Sequence, residues 1–157
     1  WTSRTGSPIP TAACANSAWK VRPLPVIVSA AISDGVDAVL GELGRRGIEP
    51  AGPLQVVYHA DQVLDSETAA PIEICFPVAA AFQGNGEVYG TELPGGPAAV
   101  TVHRGPYAEI GPAYHTVSGW IADHGHELAG GPREVYLNVP GEVPEADLLT
   151  EVQWPIR

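Results

Sequence analysis

The strongest constraint in this chain is that one phrase occurs twice. Residues 51–59 read AGPLQVVYH and residues 129–137 read AGGPREVYL. A second strand-like phrase follows each copy, IEICFPV at 72–78 and TEVQWPI at 150–156. Repetition on this scale predicts two similar modules packed about a pseudo-two-fold axis, with a cleft at their junction.

The first module is predicted to span about residues 24–80. Residues 24–32 are apolar and rich in β-branched side chains, which is typical of a strand. A helix is predicted to follow over residues 35–46 and to end at Gly47. The two repeated phrases supply the next two strands.

The second module is predicted to span about residues 98–156 and to begin with a strand at 98–103. Gly105 and Pro106 then open a helix, because proline lacks an N–H that the first helical turn would leave unpaired anyway. Each module therefore reads strand–helix–strand–strand. The predicted fold class is α+β, a duplicated module with pseudo-two-fold symmetry and a central cleft between its copies.

The composition of the chain excludes some classes of binding partner. Residues 1–18 lack periodicity and are predicted to be a tag or a disordered lead-in, which leaves 19–157 as the domain. The net charge is −10, with 18 acidic and 8 basic residues, so the basic surface that direct nucleic-acid contact requires is missing. No apolar run approaches the length of a membrane span.

The two cysteines are too few for a disulfide framework. Cys14 lies in the predicted lead-in, and Cys75 lies in an apolar strand, where we expect a buried and inert thiol. This cysteine usage favours a cytoplasmic protein.

Three phrases in the second module carry a family resemblance: HRGPY at 103–107, REVYL at 133–137 and TEVQWPI at 150–156, with the helix containing Trp120 after the first. Together they resemble the GyrI-like small-molecule-binding domain, which is also the effector-binding domain of AraC-type and MerR-type bacterial regulators. The resemblance covers roughly residues 20–157. No helix-turn-helix precedes the domain in this sequence, so we expect a stand-alone member or the ligand-binding part of a regulator.

The resemblance implies a central hydrophobic cleft that takes bulky, flat and often cationic compounds between aromatic walls and one buried glutamate. Some stand-alone members of this family resemble hydrolases that open cyclopropane rings in DNA-alkylating natural products. One founding member inhibits gyrase. A DNA-binding domain or gyrase is therefore an implied partner.

Glu134 is the principal site candidate. It stands where the first copy of the repeat has Val56, so the fold itself does not require an acid there. Because side chains alternate along a strand, Glu134 and Tyr136 share a face. A carboxylate on an otherwise apolar strand either faces solvent or has a partner. Its predicted role is to attract a ligand cation or, if the protein is an enzyme, to act as the catalytic general base on water.

Aromatic residues are the candidates for the walls of the cleft. They are Tyr58, Phe76, Tyr107, Trp120, Tyr136 and Trp154. Packing in the core is the alternative for Phe76 and Trp154, which occupy the same place in the two repeats. On the second helix, Tyr114 and Trp120 differ too much in phase to share one stripe, and Trp120 is favoured for the cleft. An aromatic cage with one acid suits a flat cation.

The predicted function is binding of bulky hydrophobic, cationic or polycyclic small molecules, as a drug sensor or a sequestering resistance protein. The alternatives are a hydrolase acting on a strained, cyclopropane-type electrophile and a gyrase-interacting inhibitor. No cofactor and no metal site are predicted, because no third ligand is spaced to join His124 and His126. No direct nucleic-acid contact and no membrane contact are expected.

Overall fold

The computed structural model describes residues 11–17, 25–59, 72–80, 82–84, 86–93 and 95–157. Predictions for residues 1–10, 18–24 and 60–71 lie outside these ranges. The described elements are β1 (Thr11–Ser17), α1 (Pro25–Arg46), β2 (Gln55–Tyr58), β3 (Ile72–Pro77), β4 (Val88–Glu92), β5 (Ala98–Arg104), α2 (Gly111–Asp123), β6 (Arg133–Tyr136) and β7 (Leu149–Pro155). Short 3-10 turns lie at Tyr107–Glu109 and Glu145–Asp147. The mixture of helices and antiparallel strands confirms the α+β class.

The strands form a seven-stranded sheet in the order β4–β1–β3–β2–β6–β7–β5. The order β1–β3–β2 on one side is matched by β5–β7–β6 on the other, and a helix follows the first strand of each group. The two groups meet at the antiparallel pair of β2 and β6, where Val56 lies directly opposite Glu134. The repeated phrases of the sequence therefore form the centre of the sheet.

The first group begins differently from the prediction. Residues 25–32 belong to helix α1, so a strand at 24–32 is wrong. A short apolar run does not by itself distinguish a strand from a buried helix, and here it continues at helical spacing into Val36 and Val39. The first strand is instead β1, so the predicted disordered lead-in does not hold for Thr11–Ser17.

Helix α1 ends at Arg46, directly before Gly47, as the sequence predicted. Gly47 follows it with a φ of 65°, a left-handed conformation that glycine adopts without steric cost. The N–H of Ile48 donates to the carbonyl of Leu43 at 2.9 Å and closes the last turn. Neither α1 nor α2 combines the length and the hydropathy that a bilayer crossing requires, and this holds for every helix in the described ranges.

Both helices cover the same face of the sheet. Strand pairing places Ile74, Val56, Glu134 and Val152 in one row on this face, which we call the helix face. The buried core between α1 and the sheet consists of Val39, Leu43, Phe76, Val78 and Val88. The core between α2 and the sheet consists of Ala99, Ala113, Val117, Ile121, Val152, Trp154 and Ile156. The central strands β2 and β6 therefore lie between the two helix-covered regions.

Cys75 lies on the opposite face of the sheet, the back face, and is fully buried. It is disulfide-bonded, so the prediction of an inert free thiol is wrong. In the register of β1 and β3, Cys14 stands directly opposite Cys75.

We expect Leu43→Ala to lower the free energy of unfolding by about 2–5 kcal/mol, because Leu43 is 1% exposed and its truncation leaves a cavity under α1. Leu40→Ala is the matched control on the same helix, because Leu40 is 40% exposed. Urea denaturation of both variants measures the difference. Equal losses would contradict the packing of α1 on this face.

Candidate functional site

Glu134 is a buried carboxylate in the middle of the sheet. It lies on β6, with Val56 of β2 and Val152 of β7 directly opposite it on either side. Both valines are fully buried, and Glu134 itself is only 6% exposed. A charged group in such surroundings is stable only if hydrogen bonds replace the water it has lost.

Tyrosine hydroxyls supply these hydrogen bonds. Tyr114 of α2 donates to Oε1 of Glu134 at 2.6 Å, and Tyr136 donates to Oε2 at 2.6 Å. The hydroxyl of Tyr58 on β2 lies near the same carboxylate, whose charge is, after burial, the second cause of its raised pKa. We call these four residues the Glu134 cluster. Within the described ranges, no basic side chain forms an ion pair with Glu134.

The hydroxyls of the cluster are held in their protonated form. Burial, and secondly the negative charge of Glu134, raises the pKa of Tyr58, Tyr114 and Tyr136 well above the ordinary value. The same two causes raise the pKa of Tyr107. These side chains are therefore hydrogen-bond donors at neutral pH, which is what a buried carboxylate needs.

Two more aromatic rings extend the cluster. The ring of Tyr107 meets that of Tyr136 edge to face, with centroids 5.3 Å apart. The ring of Trp154 meets that of Tyr114 in the same way at 6.1 Å, and its Nε1 donates to the carbonyl of Gly130 at 3.1 Å. The carboxylate is thus surrounded by oriented aromatic side chains from both halves of the sheet.

Two predicted site residues lie apart from the cluster. Phe76 packs under α1 with Val39 and Leu43, as a core residue. Trp120 stacks on the rings of His124 at 4.2 Å and His126 at 5.5 Å. Neither residue has a described contact with Glu134.

The choice of Trp120 over Tyr114 needs correction, because Tyr114 is the residue of α2 that reaches Glu134. The buried stripe of α2 runs through Ala113, Val117 and Ile121. Tyr114 and Trp120 flank this stripe on opposite sides, about 120° apart around the helix. Periodicity identifies the stripe, but only the docked helix decides which flank faces β6.

The arrangement suits recognition of a cation. The carboxylate has two phenolic donors and no basic partner within the described ranges, so its negative charge is solvated but not neutralised. Aromatic rings beside it offer faces and edges for stacking and cation–π contact. Within the described ranges, no group of three His, Cys, Asp or Glu side chains is placed to hold a metal ion.

We expect Tyr136→Phe to lower the free energy of unfolding by about 1.5–3 kcal/mol, because it removes a hydrogen bond to a buried charge. Tyr107→Phe is the control, because Tyr107 contacts the cluster through its ring, which packs against the ring of Tyr136. Chemical denaturation at pH 7 compares the two variants. A loss in Tyr107→Phe as large as that in Tyr136→Phe would contradict the hydrogen-bonding role of Tyr136.

Solved structures with this fold include EcmrR, both as its C-terminal domain and in a complex with DNA. The C-terminal domain of EcmrR matches with a TM-score of 0.81 at 19% identity, over 100% of this chain and 99% of that one. EcmrR in its complex with DNA matches with a TM-score of 0.80 at 20% identity, over 99% of this chain. The present chain spans 57% of the length of that EcmrR chain.

A hydrolase from Listeria innocua shares the fold more distantly, with a TM-score of 0.62 at 12% identity, over 95% of this chain and 89% of that one. No curated protein sequence matches the chain. The model of the GyrI-like small molecule binding domain matches residues 25–157, which is most of the sequence. The chain therefore belongs to the family of GyrI-like small-molecule-binding domains.

Proposed function

We propose that this domain binds bulky, hydrophobic cations at the Glu134 cluster and acts as the effector-binding part of a drug-responsive regulator, or as a protein that sequesters such compounds. The observation that carries the proposal is a buried carboxylate solvated by tyrosine hydroxyls. Its net charge remains available to a ligand, whereas a salt bridge would already have neutralised it.

The energetics favour a cation over a neutral compound. The tyrosine hydroxyls offset part of the desolvation of Glu134, but they contribute only dipoles. A ligand cation brought into this low-dielectric space adds a charge–charge term that is stronger than the same term in water. The rings of Tyr107, Tyr136 and Trp154 offer a flat ligand apolar surface at the same time.

The location agrees with a binding site formed by two duplicated modules. We infer that the groups β1–β3–β2 and β5–β7–β6 are two copies of one unit, related by a pseudo-two-fold axis between β2 and β6. Glu134 then occupies the junction of the copies, opposite its counterpart Val56. Such a junction forms a cleft without any special loop, and the single substitution of valine by glutamate makes it selective for charge.

The EcmrR structures suggest how binding would be used. EcmrR combines a C-terminal domain of this fold with DNA binding, and the present chain corresponds to the C-terminal domain. On this proposal, the DNA-binding partner reads the ligand state of the cleft, and the protein works in the cytoplasm. The disulfide of Cys75 counts against that compartment, because disulfides are rare in reducing surroundings.

We expect Glu134→Gln to weaken binding of a rhodamine-like or acridine-like cation roughly ten- to a hundredfold, because it removes a charge-assisted contact worth about 1.5–3 kcal/mol. Quenching of tryptophan emission, with Trp154 next to the cluster as the reporter, measures the affinity. An anionic dye of similar size is expected to bind the unmodified protein more weakly than the cation.

Glu151→Gln is the matched control, because Glu151 lies on the neighbouring strand β7 but on the back face. It removes the same charge from the protein without touching the cluster. Equal affinity of the cation for Glu134→Gln and for the unmodified protein would rule out Glu134 as the cation site.

Hydrolysis of a strained electrophile is the second candidate function. The hydrogen bonds of Tyr114 and Tyr136 to both oxygens of Glu134, together with the hydrolase that shares the fold, favour it over other chemistry. Glu134 would take a proton from water as the water oxygen bonds to a cyclopropane carbon. The ring C–C bond breaks, its electron pair moves into the conjugated part of the substrate, and a tyrosine hydroxyl donates a proton to the oxygen where that charge collects.

Turnover separates the two functions. A hydrolase should convert a cyclopropane-bearing alkylating agent to its ring-opened alcohol, and Glu134→Gln should abolish this conversion with only a modest loss of substrate binding. Chromatography of the reaction mixture measures product. Tight binding by the unmodified protein without product would leave the sensor function and exclude the hydrolase.

A further inference from the structure

A cavity lies on the back face of the sheet, away from the Glu134 cluster. Its volume is about 380 Å³, within the range of small-molecule sites. The residues that give it its chemistry are Val57, Glu73, Glu92, Leu93, Arg133 and Pro155. It therefore combines an apolar floor with acidic and basic side chains.

The strand register orders these charges. Val57 of β2 lies opposite Glu73 of β3 on one side and opposite Arg133 of β6 on the other. Directly opposed residues of a sheet project to the same face, so acid, apolar residue and base form one row across the cavity. The backbones of β3 and β6, separated by β2, are about 10 Å apart.

Both charged ends of the row are partly withdrawn from water. Oε1 of Glu73 lies 3.1 Å from Nε2 of His59, which fixes the carboxylate at the edge of the cavity. Arg133 is half-buried, and burial lowers the pKa of its guanidinium.

We propose that this cavity binds a short linear zwitterion, with its ammonium group at Glu73 and Glu92, its carboxylate at Arg133 and its alkyl chain over Val57, Leu93 and Pro155. The strands that carry the two anchoring residues are about 10 Å apart, and a hydrogen bond of about 2.8 Å is made at each end of the ligand. The two charged groups of the ligand must therefore be several bonds apart. An ω-amino acid meets this requirement better than an α-amino acid, whose charges share one carbon.

The two sites are separate although they share a strand. Arg133 and Glu134 are consecutive residues of β6, and consecutive side chains of a strand point to opposite faces. Val57 and Val56 on β2 show the same alternation, since Val56 packs on the helix face with Ile74 and Tyr136. A ligand on the back face therefore does not occupy the Glu134 cluster.

The test is a titration of the ¹⁵N-labelled chain with 5-aminopentanoate, followed by backbone amide shifts. Pentanoate and pentylamine are the matched probes, because each keeps the chain and one charged end. We expect saturable shifts at Val57, Glu73 and Arg133 with 5-aminopentanoate, and roughly tenfold or weaker binding of each single-charge probe, since each loses one charge-assisted contact.

Variants of Arg133 and Glu73 test which charged end of the ligand each residue binds. Arg133→Gln should weaken binding of 5-aminopentanoate and of pentanoate about tenfold and leave the affinity for pentylamine unchanged. Glu73→Gln should instead weaken binding of pentylamine about tenfold and leave the affinity for pentanoate unchanged. Arg104→Gln and Glu151→Gln remove the same types of charge outside the cavity and should not change the affinity for any of the three probes. All four variants should retain binding of the cationic dye at the Glu134 cluster, which shows that they are folded.

The proposal is overturned if 5-aminopentanoate produces no saturable shift at these residues, or if Arg133→Gln and Glu73→Gln affect the three probes equally. Failure of the cationic dye to bind the unmodified protein would instead contradict the proposed function. In that case the circular dichroism spectrum replaces dye binding as the check on folding, and the zwitterion titration still decides.

Discussion

The hydrogen bonds between the Glu134 carboxylate and the tyrosine hydroxyls are the interaction on which the centre of this molecule depends. A row of valines and isoleucines crosses the helix face, and Glu134 interrupts it at the pair of strands that joins the two halves of the sheet. Without donors, a carboxylate there would cost several kcal/mol of stability. The hydrogen bonds from Tyr114 and Tyr136 offset part of that cost while leaving the charge in place.

The fold brings the tyrosines of the Glu134 cluster together from different parts of the chain. Tyr58 comes from β2, Tyr136 from β6 and Tyr114 from α2, so the cluster forms only when the sheet and the second helix are assembled. Since α1 packs over β3 and α2 over β7, the central strands lie between the helices. The geometry that holds the sheet together is thus also the geometry that positions the proposed binding site.

The strict alternation of side chains gives strand β6 two different roles. Glu134 and Tyr136 belong to the helix face, where the surroundings are aromatic and the unneutralised charge is negative. Arg133 belongs to the back face, where a cavity holds charges of both signs. The same short strand therefore contributes to two surfaces that differ in charge and in polarity.

Several features followed from local sequence alone. The repeated phrases predicted β2, β3, β6 and β7, because alternating apolar runs bounded by glycine and proline are typical of strands. Gly47 marked the end of α1 through its backbone freedom. The shared face of Glu134 and Tyr136 followed from period two, which holds in any strand.

Other features depended on contacts between distant residues. An apolar run at 25–32 fits a strand or a helix equally well in isolation, and the structure makes it the first part of α1, with β1 as the first strand. The disulfide of Cys75 likewise depends on a contact between residues that are distant in sequence. Tyr114 and Trp120 both border the buried stripe of α2, and only the docking of α2 against β5 and β7 turned Tyr114 toward Glu134. The sequence by itself thus determined the strands, the repeat and the acid at the centre, since these follow from local periodicity. The tertiary structure decided which side chains surround that acid, because this depends on how the helices dock on the sheet.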